Sequence, residues 1–313
     1  MRSRLAPSPT GALHLGNART FLLHWLVVRA AGGTLLLRID DLDGPRVRRG
    51  AADEALEDLR WLGLDWDEAE GVLVQSRRAA VYDEAASRLV AAGHAYPCVC
   101  TRAEVASAAS APHGAEGPPY PGTCRGRWRS VDEAAAATGR PAALRFAVPQ
   151  GPVRFDDDFA GAQEFLPAEE TGDFVIRKSN GTAAYQLATV VDDAESGVDL
   201  VVRGADLLPS TARQILLQRA LGLPHPRWMH FPLVVGPDGR RLAKRHGDTT
   251  LRALRAIGWT AEALVGRIAS ESGLAEPGTS LRPRDLLARF DLARVPRASL
   301  VTDANVWTTP PAR

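Results

Sequence analysis

A chain of 313 residues, 45% apolar and 24% charged, has enough apolar material for one large or two ordinary packed cores, which excludes a natively disordered chain. A formal net charge of +1 excludes a globally basic nucleic-acid binder, so an RNA partner would have to meet local basic patches. Three cysteines are too odd a number for a secreted disulfide framework, "RSRLAPSPTG" is no secretory leader, and no apolar run nears the roughly 20 residues of a membrane span, so a cytoplasmic enzyme without a membrane partner is expected.

Residues 1 to 5 read as a short strand at a sheet edge. "SPTG" ends it, Pro7 and Pro9 fixing φ and Gly11 allowing a tight turn. "NARTFLLHWLVVRAAG" predicts a helix of about four turns stopping at Gly32-Gly33, and "TLLLRID" reads as a buried parallel strand. Strand, loop, helix and strand make a βαβ unit whose loop lies at the C-terminal end of the first strand. "RRGAADEALEDLRWLGLDWD" and "SRRAAVYDEAASRLVAAGHAYPC" predict two more helices. Residues 98 to 130 carry all three cysteines amid Gly and Pro and read as an inserted knuckle. "ALRFAVPQGPVRFDDDF" is β-rich; "DFVIRKSNGTAAYQLATVVDDAESGVDLVVRGADL" gives strand, turn, helix, strand and loop; "STARQILLQRALGL" is a helix. "HFPLVVGPDGRRLAKRHGD" is a strand running into a basic loop, and the tail from about 250 reads as helical, with "LRALRAIGW" and "SLRPRDLLARFDLARV" as segments.

A loop leading from strand into helix is a ready anion site, because free backbone N–H groups and the helix dipole favour negative charge. Neither the G-x-G-x-x-G fingerprint nor the G-x-x-x-x-G-K-[ST] phosphate loop is present. Instead the loop offers "HLGN": His14 can donate to a phosphate oxygen and Gly16 lets a flat base approach the backbone. Alone, such a histidine is ordinarily a cap or a solvent-facing side chain. The basic residues are 36 Arg and only two Lys, Lys178 and Lys244, so a lysine is the more informative cation in this chain.

"RLAPSPTGALHLGNART" resembles the "HIGH" signature of class I glutamyl-type tRNA synthetases, and "RRLAKRHGD" resembles their "KMSKS" loop. Between them "LLLRIDDLDGPR", "AYQLATVVDD" and "VVRGADLLPSTARQILLQ" follow in that family's order, and the resemblance spans roughly residues 1 to 250. It implies an α/β fold: a Rossmann-type parallel sheet with an inserted zinc-bearing, acceptor-binding-like subdomain and a short helical C-terminal part. The halves of the catalytic domain would be 1–97 and 173–245, the insertion 98–172 and the tail 246–313. It further implies that Pro7, His14, Gly16, Asn17 and Lys244 bind ATP, with Mg²⁺ brought by the nucleotide, and that His14 and Lys244 are catalytic. Arg4, Ser8, Asp40, Tyr185 and Arg203 would bind glutamate. The side chains suit that substrate, since guanidinium forks pair with carboxylates and Asp40 with an ammonium. On spacing alone, with 36 Arg in the chain, either arginine reads rather as half of a surface ion pair. The chain departs from the pattern at Arg241 and Ala243, where the loop usually has Lys and Ser, and at Asp40, where "RIED" becomes "RIDD".

Cys98, Cys100 and Cys124 suit tetrahedral Zn²⁺, which needs a fourth ligand. Chemistry nominates His113; the resemblance nominates Tyr120, from a "CxC…YxxxC" pattern. Only 69 residues follow Lys244. That is short for a conventional member and is similar to the short branch, the glutamyl-Q tRNA(Asp) synthetases. This branch activates L-glutamate without tRNA and attaches it to queuosine in the anticodon stem-loop of tRNA(Asp), here as an expected monomer. The alternatives are a truncated synthetase charging a 3′ end and a non-catalytic RNA-binding paralogue. "GPRVRR", "CRGRWR" and "RRLAKR" are the segments expected to meet RNA phosphates.

Overall fold

The computed structural model describes residues 1–44, 47–107, 118–240, 242 and 249–309. The chain begins with β1 (Arg2–Leu5), α1 (Leu15–Ala30) and β2 (Thr34–Ile39), the expected βαβ unit, with β1 and β2 parallel. α2 (Ala51–Trp61), β3 (Val72–Val74) and α3 (Ala79–Ala91) follow, β3 pairing in parallel with β2. β3 escaped the sequence reading because three residues carry no periodicity.

β4 (Ala95–Cys98), the short α4 (Arg102–Ser107), α5 (Val131–Thr138) and β5 (Ala143–Phe146) lead to the hairpin β6 (Val153–Asp157) and β7 (Gly161–Phe165). The single turn α6 (Pro167–Glu170) precedes β8 (Phe174–Arg177), α7 (Tyr185–Glu195) and β9 (Leu200–Gly204). Then come α8 (Leu208–Leu221), β10 (Arg227–Phe231) and β11 (Val234–Val235). β4, β5 and β8 form an antiparallel sheet, whereas the β6–β7 hairpin joins the main layer through β10, which also pairs in parallel with β9. The 98–172 stretch therefore contributes to two sheets.

By strand pairing β1 is the edge of the β1-β2-β3 sheet, as expected, and β9 lies beside it: the Asp199 N–H donates to the Arg2 carbonyl (3.0 Å) and Ser3 Oγ to the Leu200 carbonyl (2.7 Å). The parallel strands thus form two sheets side by side, β1-β2-β3 and β9-β10 with the β6–β7 hairpin, and ligand sites in such sheets lie beyond the C-terminal ends of the strands, here Leu5, Ile39, Gly204 and Phe231. α1 packs Leu22, Leu23, Trp25 and Leu26 into the larger core beside Leu35 and Leu37. A second core joins α3, α7 and α8 through Leu89, Leu187 and Leu217. Gly11 takes no positive φ, so the turn there does not need a glycine.

The tail is less helical than expected. α9 (Leu251–Ala256), α10 (Ala261–Glu271) and α11 (Pro283–Leu286) are present, but "LLARFDLARV" gives only short 3₁₀ turns, and β12 (Leu300–Val301) pairs in parallel with β11. Its sequence offers too few residues to signal a strand; the partner lies elsewhere in the chain.

Candidate active site and thiol cluster

His14 is the N-cap of α1. Its Nδ1 accepts the Gly16 N–H (3.1 Å), and its own N–H donates to the Asn17 side chain (3.2 Å), closing a capping box. An Nδ1 that accepts leaves the ring proton of the neutral imidazole on Nε2. A Cβ on Gly16 would stand 3.1 Å from His14 Cε1 and press on the histidine ring, so the glycine gives the ring its room.

Lys244 lies outside the described residues, as do Arg241, Ala243 and His113. Both flanks of the 243–248 stretch are nevertheless fixed near His14. Leu242 is buried and its N–H donates to the Val234 carbonyl (3.3 Å). On the other side the Leu15 N–H donates to the Thr249 carbonyl (3.0 Å) and the Leu251 N–H to the Leu13 carbonyl (2.8 Å), with His14 and Thr250 in an antiparallel bridge.

Next to this turn, buried charges form a chain. Arg4, at the end of β1, donates through Nε to Asp193 Oδ1 (2.8 Å). The same oxygen accepts from Arg38 Nη1 (2.6 Å). Arg38 in turn grips Asp40 through Nε (2.6 Å) and Nη2 (3.2 Å), and the Asp40 N–H ties β2 to the Pro7 carbonyl (3.2 Å). Burial pushes the Asp40 carboxyl up against the pull of Arg38. No hydrogen bond from the two terminal nitrogens of Arg4 occurs among the described residues. Asp192 fixes the rear of the cluster, accepting from Gln75, Arg78 and the Tyr82 hydroxyl at 2.8 to 2.9 Å.

Arg203, at the end of β9, is buried and engaged on every side by neutral groups. It donates to His230 Nε2 (2.9 Å), Gln214 Oε1 (2.9 Å) and Thr211 Oγ1 (2.8 Å), and at longer range to the Tyr185 hydroxyl (3.3 Å) and the Leu207 carbonyl (3.4 Å). No carboxylate pairs with it among the described residues, and burial draws its pKa down. A desolvated guanidinium without a counter-ion is a site for an anion. Ser8 is exposed on the loop and Tyr185 half-buried at the start of α7. Sequence reading found Arg4, Asp40 and Arg203 but missed Arg38, Asp193 and His230; their signal is a charge set inside an apolar run, as in "LLLRID" and "VVDD".

The three sulfurs of Cys98, Cys100 and Cys124 lie within 4.8 Å of one another. The Tyr120 hydroxyl sits among them, 3.3 Å from Cys98 Sγ and 3.5 Å from Cys100 Sγ, while Cys100 and Cys124 sulfurs are 3.6 Å apart. Tetrahedral zinc, with bonds of about 2.3 Å to sulfur and about 2.0 Å to oxygen, sets edges of about 3.8 Å and about 3.5 Å. The separations of 3.3 to 3.6 Å match those edges and the remaining sulfur pairs lie within 4.8 Å, so the donor set can close on such an ion with a small inward shift. Arg145 donates to Cys98 Sγ (3.2 Å), with its guanidinium 3.8 Å over the Tyr120 ring. Gly172, at φ +66°, lets the Tyr120 backbone approach, since a Cβ there would lie 2.6 Å from the Tyr120 carbonyl oxygen.

Of the basic segments, Arg125 is bound to Asp173 (Nε, 2.9 Å) and Arg48 to Glu54, whereas Arg127 and Arg129 are exposed. No described helix is long and apolar enough to cross a membrane.

The family described as tRNA synthetases class I (E and Q), catalytic domain, matches residues 1–276. The chain is 53% identical over 302 residues to the glutamyl-Q tRNA(Asp) synthetase of Symbiobacterium thermophilum, covering 94% of this chain and 93% of that one. It is 45% identical over 313 residues to the enzyme of the same name from Nitratidesulfovibrio vulgaris, covering 98% and 97%. The crystal structure of a glutamate tRNA ligase from Elizabethkingia meningosepticum in complex with its amino acid superposes with a TM-score of 0.80 at 26% identity, over 98% of this chain and 68% of that one. Likeness of this extent, with the catalytic domain matched from its first residue, settles the lineage: the chain belongs to the class I tRNA synthetases of the E and Q type.

Proposed function

We propose that this protein activates L-glutamate with ATP, without tRNA, and transfers it to queuosine in the anticodon of tRNA(Asp). One observation carries the amino-acid half: among the described residues, buried Arg203 has no carboxylate partner and the terminal nitrogens of nearby Arg4 make no hydrogen bond. Two such cations beside Asp40 suit a small dicarboxylate bearing an ammonium. On binding, substrate oxygens would replace the two long contacts of Arg203, those to Tyr185 and Leu207. Ser8 adds a hydrogen bond from the loop.

In this reading Pro7, Gly16 and Asn17 shape the ATP site, while His14 Nε2–H and Lys244 meet phosphate oxygens. The glutamate α-carboxylate attacks the α-phosphorus and pyrophosphate leaves. A queuosine hydroxyl then attacks the acyl carbon of the adenylate, and AMP leaves. The protein positions two anions and offsets the charge that builds between them. Cys98, Cys100, Cys124 and Tyr120 would hold one structural zinc that fixes the knuckle; their arrangement as free thiols accords with a reducing, cytoplasmic setting.

The acceptor half is supported by full-length likeness to two glutamyl-Q tRNA(Asp) synthetases. Transfer of labelled glutamate to tRNA(Asp) with and without queuosine tests it. Labelling only of the modified tRNA is expected; equal labelling would assign the protein to 3′-end charging. ATP–pyrophosphate exchange that needs glutamate but no RNA is expected as well, and its absence would point to a non-catalytic paralogue.

A further inference from the structure

Arg203 is held on its Nε side by a histidine, His230, on the neighbouring strand β10. An Nε2 that accepts from a guanidinium carries no proton, so the ring proton sits on Nδ1. That nitrogen lies 2.6 Å from Asp157 Oδ2. The Asp157 carboxylate is itself locked, its Oδ1 accepting the backbone N–H groups of Phe159 (3.0 Å), Ala160 (2.7 Å) and His230 (3.1 Å). Asp157 ends β6, on the hairpin that joins the main sheet through the Trp228–Asp157 pair.

We propose that Asp157 and His230 are positioning residues for the amino-acid pocket: Asp157 fixes the Nδ1–H tautomer of His230, whose Nε2 then orients the Arg203 guanidinium towards the substrate carboxylate. The choice of residue has a physical reason. A carboxylate in the place of His230 would also orient Arg203, but it would neutralise the charge the pocket keeps for its ligand. A neutral acceptor holds the cation and leaves its charge available. Thr211 completes the arrangement: its hydroxyl accepts from Arg203 Nη2 (2.8 Å) and lies 3.2 Å from His230 Nε2. The charged groups acting on His230 are Asp157, Arg203 and Asp206; burial, assisted by Arg203, holds the imidazole down to about 4. The ring therefore stays neutral at physiological pH, as an acceptor facing a cation requires.

The inference rests on the reading that Arg203 receives glutamate, and the test separates the two. In the full-length protein, KM for glutamate and KM for ATP are measured by pyrophosphate exchange for Arg203→Ala, His230→Leu, His230→Gln and Asp157→Asn. His230→Leu should raise the glutamate KM roughly 10- to 100-fold, the range for removing a group that orients a binding residue. The ATP KM should move less than about twofold, since uniform binding of the nucleotide is untouched. His230→Gln, which can return a neutral acceptor, should recover most of the loss. Asp157→Asn, which permits the other tautomer and so a donor facing Arg203, should resemble His230→Leu. A glutamate KM unchanged in both His230→Leu and Asp157→Asn, while Arg203→Ala raises it, overturns the positioning role alone. An unchanged KM in Arg203→Ala overturns the glutamate reading and the inference with it. Should His230→Leu fail to fold, ¹⁵N spectra of His230 in the parent protein decide: a proton on Nδ1 at neutral pH supports the proposal, and one on Nε2 refutes it.

Discussion

Asparagine in place of Asp193 separates charge from shape in the buried pocket. One oxygen, Asp193 Oδ1, accepts from both Arg4 Nε and Arg38 Nη1, at 2.8 and 2.6 Å. Asn can put its own carbonyl oxygen there and keep both hydrogen bonds while losing the negative charge. The guanidinium donors stay ionised, so the bonds to Asn remain charge-assisted; what is lost is the ion pair of Arg4 with Asp193, about 2 kcal/mol, less than for a fully uncompensated buried charge because the acceptor oxygen stays. That lowers the folding equilibrium constant about 30-fold. Asp193→Ala removes the acceptor as well and leaves buried Arg4 without a carboxylate partner among the described residues, while Arg38 keeps Asp40, at a cost of about 3–5 kcal/mol. Urea unfolding at pH 7 ranks the three proteins, and pyrophosphate exchange should show a raised glutamate KM in both variants as Arg4 loses its anchor. The pH dependence carries a sign. Burial alone would raise Asp193, but the Arg4 and Arg38 guanidiniums outweigh it and hold the carboxyl below the usual range. A depressed carboxylate contributes stability that is complete above the unfolded value of about 3.9 and vanishes as pH falls through the lower folded value. The gap between parent and Asp193→Asn should therefore be flat from about pH 7 to about pH 5 and shrink below about pH 4. A difference under about 0.5 kcal/mol for both variants at pH 7 would refute the account of the pocket as a charge-bridged unit.

Lys244→Ala should cut adenylate formation roughly 10²- to 10³-fold, the scale for one preorganised donor on a charged transition state, and near-parental exchange would remove Lys244 from the chemistry. Protein purified without added zinc should carry one zinc per chain by metal analysis, lost in Cys98→Ala and Cys124→Ala; a metal-free parent that is fully folded and active would refute the knuckle assignment. Gly172→Ala forces a side chain at φ +66° and 2.6 Å from the Tyr120 carbonyl, so thermal unfolding should report a loss of about 2 kcal/mol or more and metal analysis a weakened site. An unchanged melting temperature would show that Tyr120 does not depend on that close approach.

What the sequence disclosed was local or periodic. α1, β2, α7 and α8 announce themselves by apolar spacing, and "HLGN" packs cap and glycine into four adjacent residues. His14 and Cys98, Cys100, Tyr120 and Cys124 were nominated from short patterns whose members need few distant contacts to be recognised. Arg38 and Asp193 were overlooked because charge in a strand or helix reads as exposure, and only the fold shows that each buries the other. Asp157 and His230 are 73 positions apart and meet only once β6 lies against β10. β12 was invisible for the same reason, since two residues make a strand only when β11 lies beside them.

The parallel pairing of Val234–Val235 with Leu300–Val301 also has a timetable. A polypeptide emerges from its amino end, and segments near that end settle first. β11, immediately upstream of Leu242 and the Lys244 stretch, is among the later parts to be made, yet its partner strand is made later still. Trp307, whose backbone carbonyl receives the Trp259 indole N–H at 2.9 Å, follows even after that. On a growing chain the sheet and the histidine turn can therefore be complete while the ledge formed by β11 is open. Its closing waits on a long-range contact that synthesis delivers well after β11 itself, so this rim is assembled after the sheet beside it.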